Sequence, residues 1–153
     1  MQLHWLLLAI IALALVFDFF NGMNDSGNIV ATMISTGALK PRRALLLASA
    51  AEFLGPFLFG VAVAAAIGNG IVNPSSTKPL VVLTALVAAI VWNLTTLYLG
   101  LPSSSSHALI GGLIGAAMTA AGLEALNPGG IAVVLSAMVL SPLIGFVLSY
   151  LAM

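Results

Sequence analysis

Cysteine is absent from the 153 residues, and charge is scarce: 5% of positions are Asp, Glu, Lys or Arg, with four acids against four bases. The first absence removes disulfide frameworks, thiolate metal sites and cysteine nucleophiles together. The second removes nucleic acid as a partner, because a phosphate backbone is neutralised by a basic surplus that this chain lacks. Hydrophobic residues supply 61% of the chain, and the mean hydropathy is +1.21. Soluble domains are about 45–50% apolar and about 25% charged. That contrast excludes an ordinary soluble domain and leaves an integral membrane protein. Bilayer crossings of about 20 residues are then the natural unit of division. The chain reads as one membrane domain, residues 1–153, with no soluble domain.

The apolar runs set the expected elements. Residues 3–17 are apolar apart from His4, which reads as interfacial, and the run reaches Phe20 across Asp18. No Lys or Arg precedes it and no small-residue cleavage site follows, which argues against a signal peptide. Residues 44–67 form a second run, interrupted by Glu52 and Gly55-Pro56; residues 80–99 form a third, containing Asn93, Thr95 and Thr96. Residues 107–122 are shorter and rich in Gly and Ala. Residues 131–153 close the chain, with Ser141-Pro142 as a kink candidate, while 29–37 is apolar but too short to cross alone. None of the runs alternates with period two, against a barrel, and backbone in lipid must satisfy itself, which leaves helices. The expected fold is all-α and polytopic, with about five transmembrane helices, some broken or re-entrant. Lys40, Arg42 and Arg43 predict a cytoplasmic turn, and Lys78, alone in 68–79, the opposite face. Residues 121–130 read as a turn, with Glu124 an ordinary loop charge.

Polar groups inside a membrane are expensive and therefore informative. Asn21, Asn24, Asp25 and Asn28 are spaced to share one helical face. Gly22 and Gly27 would let the backbone unwind there and expose carbonyls. Such an oxygen-rich break suits a hard cation such as Na⁺ at Asn24 and Asp25; a solvated turn with Asn24 as a helix cap fits the composition equally well. In the second cluster, residues 100–107, Pro102 is expected to stop one helix. Ser103, Ser104, Ser105, Ser106 and His107 then stand at the start of the next. Free N–H groups and the positive dipole end make a helix start an anion site; a Ser-rich loop with Ser106 as N-cap is the competing reading. Glu52 lies nine residues into its run, about 12 Å along a helix, near mid-bilayer. There it serves as cation ligand or proton carrier, or is a protonated group bonded to a neighbouring helix. Asp18 could mark an interface, and Asn93 either bridges helices or faces the site. The spacing of Gly111, Gly112, Gly115 and Ala116 predicts close packing of that short helix on another.

These residues resemble a known family. Gly22-Met23-Asn24-Asp25-Ser26-Gly27-Asn28 resembles the G-A-N-D-V-A-N signature of the inorganic phosphate transporter (PiT, or PHO4) family. Gly100-Leu101-Pro102-Ser103-Ser104-Ser105-Ser106-His107 resembles its G-L-P-V-S-T-T-H element, and Ala51-Glu52-Phe53-Leu54-Gly55 its F-E-x-x-G neighbourhood. The resemblance implies an inverted-repeat secondary transporter of the cell membrane, not an enzyme, that carries inorganic phosphate with Na⁺ or H⁺ and needs no other cofactor. It also implies that Ser104, Ser105 and Ser106 bind the anion, while Asn24, Asp25 and Glu52 serve the coupling cation. Met23, Ser26 and Gly27 depart from the signature but leave its polar positions intact. Ser105 and Ser106 replace threonines, which keeps the hydroxyls and loosens their rotamers. Sulfate permeases share the family, so sulfate is the alternative anion.

The family carries each motif twice and this chain carries each once. The expected working unit is therefore two halves, the second being an inverted copy of this chain or a complementary subunit; a fragment or a non-transporting regulatory half are the alternatives. An anion channel would need no cation gradient. An intramembrane serine protease would need its Ser and His on facing helices, whereas His107 adjoins the serines on one turn.

Overall fold

The computed structural model describes residues 2–59 and 70–152. Residues 60–67 of the expected second run and 68–69 of the loop after it lie outside the described residues. Five helices appear among the described residues: α1 (Gln2–Ser35), α2 (Pro41–Phe59), α3 (Pro79–Leu99), α4 (Ser105–Ala121) and α5 (Pro128–Ala152). Of these, α1, α3 and α5 are long and apolar enough to cross a membrane. Helix α4, with 17 residues, is about 25 Å long.

The helix ends follow from local chemistry. Helices α2, α3 and α5 each open on a proline, whose missing N–H is no loss in a first turn. Asn127 caps α5, its Oδ1 accepting the Gly130 N–H at 3.3 Å. Helix α3 ends at Gly100 (φ +65°), where Leu101 N–H reaches Thr96 O at 2.9 Å and Gly100 N–H reaches Leu97 O at 3.2 Å. This is a Schellman closure, and it needs the left-handed residue that glycine provides. Gly100, two residues before the expected Pro102, thus stops the helix. Ser104, not Ser106, is the N-cap of α4.

The largest departure from expectation is α1. It runs unbroken for 34 residues through the Asn-Asp cluster and absorbs the apolar segment after it. Asn24 is a mid-helix residue, neither a cap nor part of an unwound break. Each interior glycine costs about 1 kcal/mol against alanine, but unwinding in an apolar setting leaves backbone groups without partners, which costs more. Helix α5 likewise continues through Pro142.

Packing sets the register. Phe17 of α1 is buried with Leu86, Ala89 and Ile90 of α3, and Ala108 and Leu109 of α4 pack on the same cluster. Further along, Asn24 and Asn28 share a cavity with Thr96, Leu97 and Gly100. Helices α1 and α3 therefore run parallel, and α4 returns antiparallel. Val30 packs with Ala44 and Ala48 of the antiparallel α2. Gly112 is the tight point between α3 and α4: a Cβ there would meet the Ala85 carbonyl oxygen at 2.7 Å. Gly111 and Gly115 face open space, so the small-residue stripe packs on one side only. At the opposite end from the serines, Val72 and Leu126 form an isolated antiparallel bridge, and the Gly70 carbonyl lies hard against Gly130.

Candidate functional site

The α3–α4 turn is folded back against the middle of α1. Asn24 and Asn28 from α1, Thr96 and Gly100 from α3, and Pro102 and Ser103 from the turn line one cavity of about 250 Å³. Asn24 is eleven residues, about 16 Å of helical rise, from the Ser35 end of α1. In a hydrocarbon core of about 30 Å that depth falls within the bilayer. The two polar clusters, some 75 residues apart in sequence, therefore meet.

Behind the cavity, a polar layer sits on the apolar plug formed around Phe17. Asn93 is fully buried, and both its side-chain Oδ1 and Nδ2 have no hydrogen-bond partner. The α1–α3 register places Asn93 level with Asn21, whose Oδ1 is also buried and unpaired, as is Nδ2 of Asn24. Ser105, 2% exposed, begins the antiparallel α4 one turn before Ala108 and reaches the same level with its Oγ unpaired. A buried polar group without a partner costs about 1–3 kcal/mol, and most buried polar groups are paired. The unpaired oxygens of Asn21, Asn93 and Ser105 are of the type that a hard monovalent cation takes, whereas Asn24 Nδ2 is a donor. Thr96 closes the layer toward the cavity, its hydroxyl donating back to Trp92 O and Asn93 O at 3.1 Å.

The serines do not act alike. Trp92 Nε1–H donates to Ser103 Oγ at 3.0 Å, which leaves the Ser103 hydroxyl hydrogen free to face an acceptor. Ser104 caps α4, accepting the His107 N–H at 3.4 Å, with its Oγ 2.6 Å from His107 Nδ1. Ser105 points into the buried layer, whereas Ser106 is exposed and lines neither cavity. Ser103, Ser104, His107 and Trp92 also border a second, larger groove of about 1220 Å³ between α3 and α4, with Lys78 at its far end.

The acids lie apart from this wall. Asp25 is half-buried beside Asn24, but it lines neither cavity. Asp18 is exposed on α1. Glu52 was expected near mid-bilayer, and the antiparallel pairing of Ala48 with Val30 does bring it level with Ser26. Its side chain nevertheless is exposed and lines neither cavity. Four and eight residues beyond Ala48 and Ala44, Glu52 shares the α2 face that those alanines turn toward α1, yet it is left exposed. Thr96 and Trp92 were not singled out as site residues from sequence; an Asn93-x-x-Thr96 pair one turn before a Gly-x-Pro helix stop was the available signal for Thr96.

Known proteins are similar to this chain in sequence and fold. The PHO4 phosphate transporter family matches residues 21–153. A probable low-affinity inorganic phosphate transporter of Bacillus subtilis is 49% identical over 148 residues, which cover 95% of this chain and 44% of that protein. A protein of the same description from Streptomyces halstedii is 48% identical over 147 residues, 95% of this chain and 68% of its own length. A solved structure described as the sodium-dependent phosphate transporter superposes with a TM-score of 0.84 at 33% identity, covering 95% of this chain and 38% of that one. The chain thus spans less than half the length of the Bacillus protein and of the solved transporter. Helices that bring an Asn-Asp face against a serine-capped turn, with a family match over almost all of both, place this membrane chain in the phosphate transporter family, a family of transporters rather than enzymes.

Proposed function

We propose that the chain carries inorganic phosphate across the cell membrane together with Na⁺. The serine turn receives the anion: Ser103 presents a free hydroxyl hydrogen, and the α4 N-terminus adds unpaired N–H groups and the positive end of its dipole. No fixed positive charge lines the small cavity, so a dianion is held by hydrogen bonds that release it readily. Asn21, Asn93 and Ser105 supply the oxygens for Na⁺, and Asp25, next to Asn24, supplies negative charge. With the cation absent, Asp25 repels the anion; with it bound, the repulsion becomes attraction. At about 4 Å and an effective dielectric of about 20, one such charge pair is worth about 4 kcal/mol, enough to make anion binding depend on the cation.

The observation that carries this reading is the shared cavity of Asn24, Asn28, Thr96 and Ser103. The name of the solved relative supports Na⁺ over H⁺. Glu52, level with the cluster and exposed, serves a partner surface in this scheme. The transporting unit pairs this chain with a second copy or a complementary half, which covers α5 and the larger groove, both open here. Uptake of labelled phosphate into proteoliposomes tests the proposal. An inward Na⁺ gradient should drive it and a pH gradient alone should not. Uptake indifferent to both gradients would mark a channel, and competition by sulfate at equal concentration would mark the sulfate alternative.

A further inference from the structure

The groove between α3 and α4, about 1220 Å³, is larger than a small anion needs, and its polarity is confined to its two ends. Lys78 stands at one end; Trp92, Ser103, Ser104 and His107 close the other. Between them the walls are apolar, and the two threonines that border this stretch spend their hydrogens on their own helices. Thr84 donates to Leu80 O at 2.9 Å and Thr119 to Gly115 O at 2.8 Å. An anion drawn in at Lys78 would meet no donor along that wall, so the groove does not serve as its path.

Length and charge point to another occupant. Lys78 lies fourteen residues before Trp92, about 21 Å along α3. Half of a bilayer about 40–45 Å thick, headgroups included, is about 20–22 Å. The groove therefore runs from one headgroup region to the bilayer centre, where the α3–α4 turn closes it. A crossing helix of about 20 residues would continue past that turn, whereas a lipid ends there. Among the described residues no carboxylate lines the groove to pair with Lys78, and the exposed α5 has none to bring from a second copy. A phosphodiester supplies that charge. Gly111 and Gly115, with open space where side chains would stand, let an acyl chain lie against the α4 backbone. We propose that the groove holds one anionic phospholipid, its phosphate on Lys78 and an acyl chain laid along α4 as far as Trp92. The second half of the transporter then closes over a lipid-filled seam. Recognition depends on Lys78 and the glycine floor, not on the ion carried, so it stands or falls apart from the transport reading.

The chain has two tryptophans, so Trp5→Phe leaves Trp92, exposed at the deep end of the groove, as the sole indole fluorophore. That variant is reconstituted in phosphatidylcholine bilayers with increasing phosphatidylglycerol, one of the two lipids being brominated on its acyl chain to quench indole. Phosphatidylglycerol should quench Trp92 with about fivefold higher relative affinity than phosphatidylcholine, the worth of one lysine near an anionic headgroup. Lys78→Gln should remove that preference, although the residue lies about 21 Å from the fluorophore. Lys40→Gln, which removes the same charge outside the groove, should keep it. Gly115→Leu, which fills the floor midway, should reduce quenching by both lipids. Equal quenching by the two lipids, or a preference that survives Lys78→Gln, overturns the proposal. Trp92 that neither lipid quenches marks a groove filled by protein, from the second half or another copy, and overturns it too. If Gly115→Leu does not fold, Lys78→Gln decides alone.

Discussion

Asn93 is the residue at which stability and function pull apart. Its two unpaired side-chain atoms are fully buried, so Asn93→Leu, similar in volume, should raise the unfolding free energy in detergent by about 1–3 kcal/mol. The same substitution should abolish Na⁺-dependent phosphate uptake. A lower melting temperature would instead make Asn93 a bridge between helices. Trp92→Phe keeps an aromatic side chain, though a smaller one, and removes the N–H that holds Ser103. It should weaken phosphate binding about three- to tenfold, the worth of one hydrogen bond, with little change in melting temperature; equilibrium binding and a thermal scan check both. The polar residues of α1 and the serines were legible from sequence because polarity is rare in this chain. Trp92 was not, since an indole in an apolar run reads as packing until its partner is known.

At the scale of elements, the α3–α4 contact holds the serine turn against α1. Gly112→Ala drives a Cβ into the Ala85 carbonyl oxygen and should cost about 1–3 kcal/mol, as overpacking does, while loosening phosphate binding. Gly115→Ala, with nothing within 4 Å of its added carbon, should leave binding unchanged and raise stability by about 1 kcal/mol. Unfolding curves and binding measured on the two variants side by side separate the effects. The expected boundaries of α3 and α4 lie within two residues of those observed, because Pro79 and Gly100 are strong punctuation. The unbroken α1 was not legible. Glycines flanked by amides mark a turn in water, where free backbone groups find solvent, but in an apolar setting the helix is the only cheap partner for its own backbone.

Over the whole molecule, the parallel α1 and α3 put Lys40, Arg42 and Arg43 at one end of the bundle and Lys78 at the other. The absence of native cysteine makes single-cysteine labelling clean. Lys40→Cys should react with a membrane-impermeant thiol reagent from the cytoplasmic side and Lys78→Cys from the outer side, following the positive-inside bias. Equal labelling of both from each side would show an antiparallel pair of copies. Helix α5 exposes large hydrophobic residues along its length, among them Phe146, Leu148 and Tyr150, a surface fit for lipid or for another membrane helix.

Sequence by itself determined the solvent, the helix class and the polar inventory: a chain this oily and this poorly charged must span lipid, must do so as helices, and keeps polar side chains there only at a cost. The tertiary structure decided which of those side chains meet. Parallel packing of α1 on α3 brings Asn24 and Asn28 to Ser103 and buries Asn93 level with Asn21, while Glu52 is left exposed on α2. Spacing along a chain fixes the face of one helix, but the rotation and register between two helices depend on how their side chains interlock, and no single run of residues carries that information.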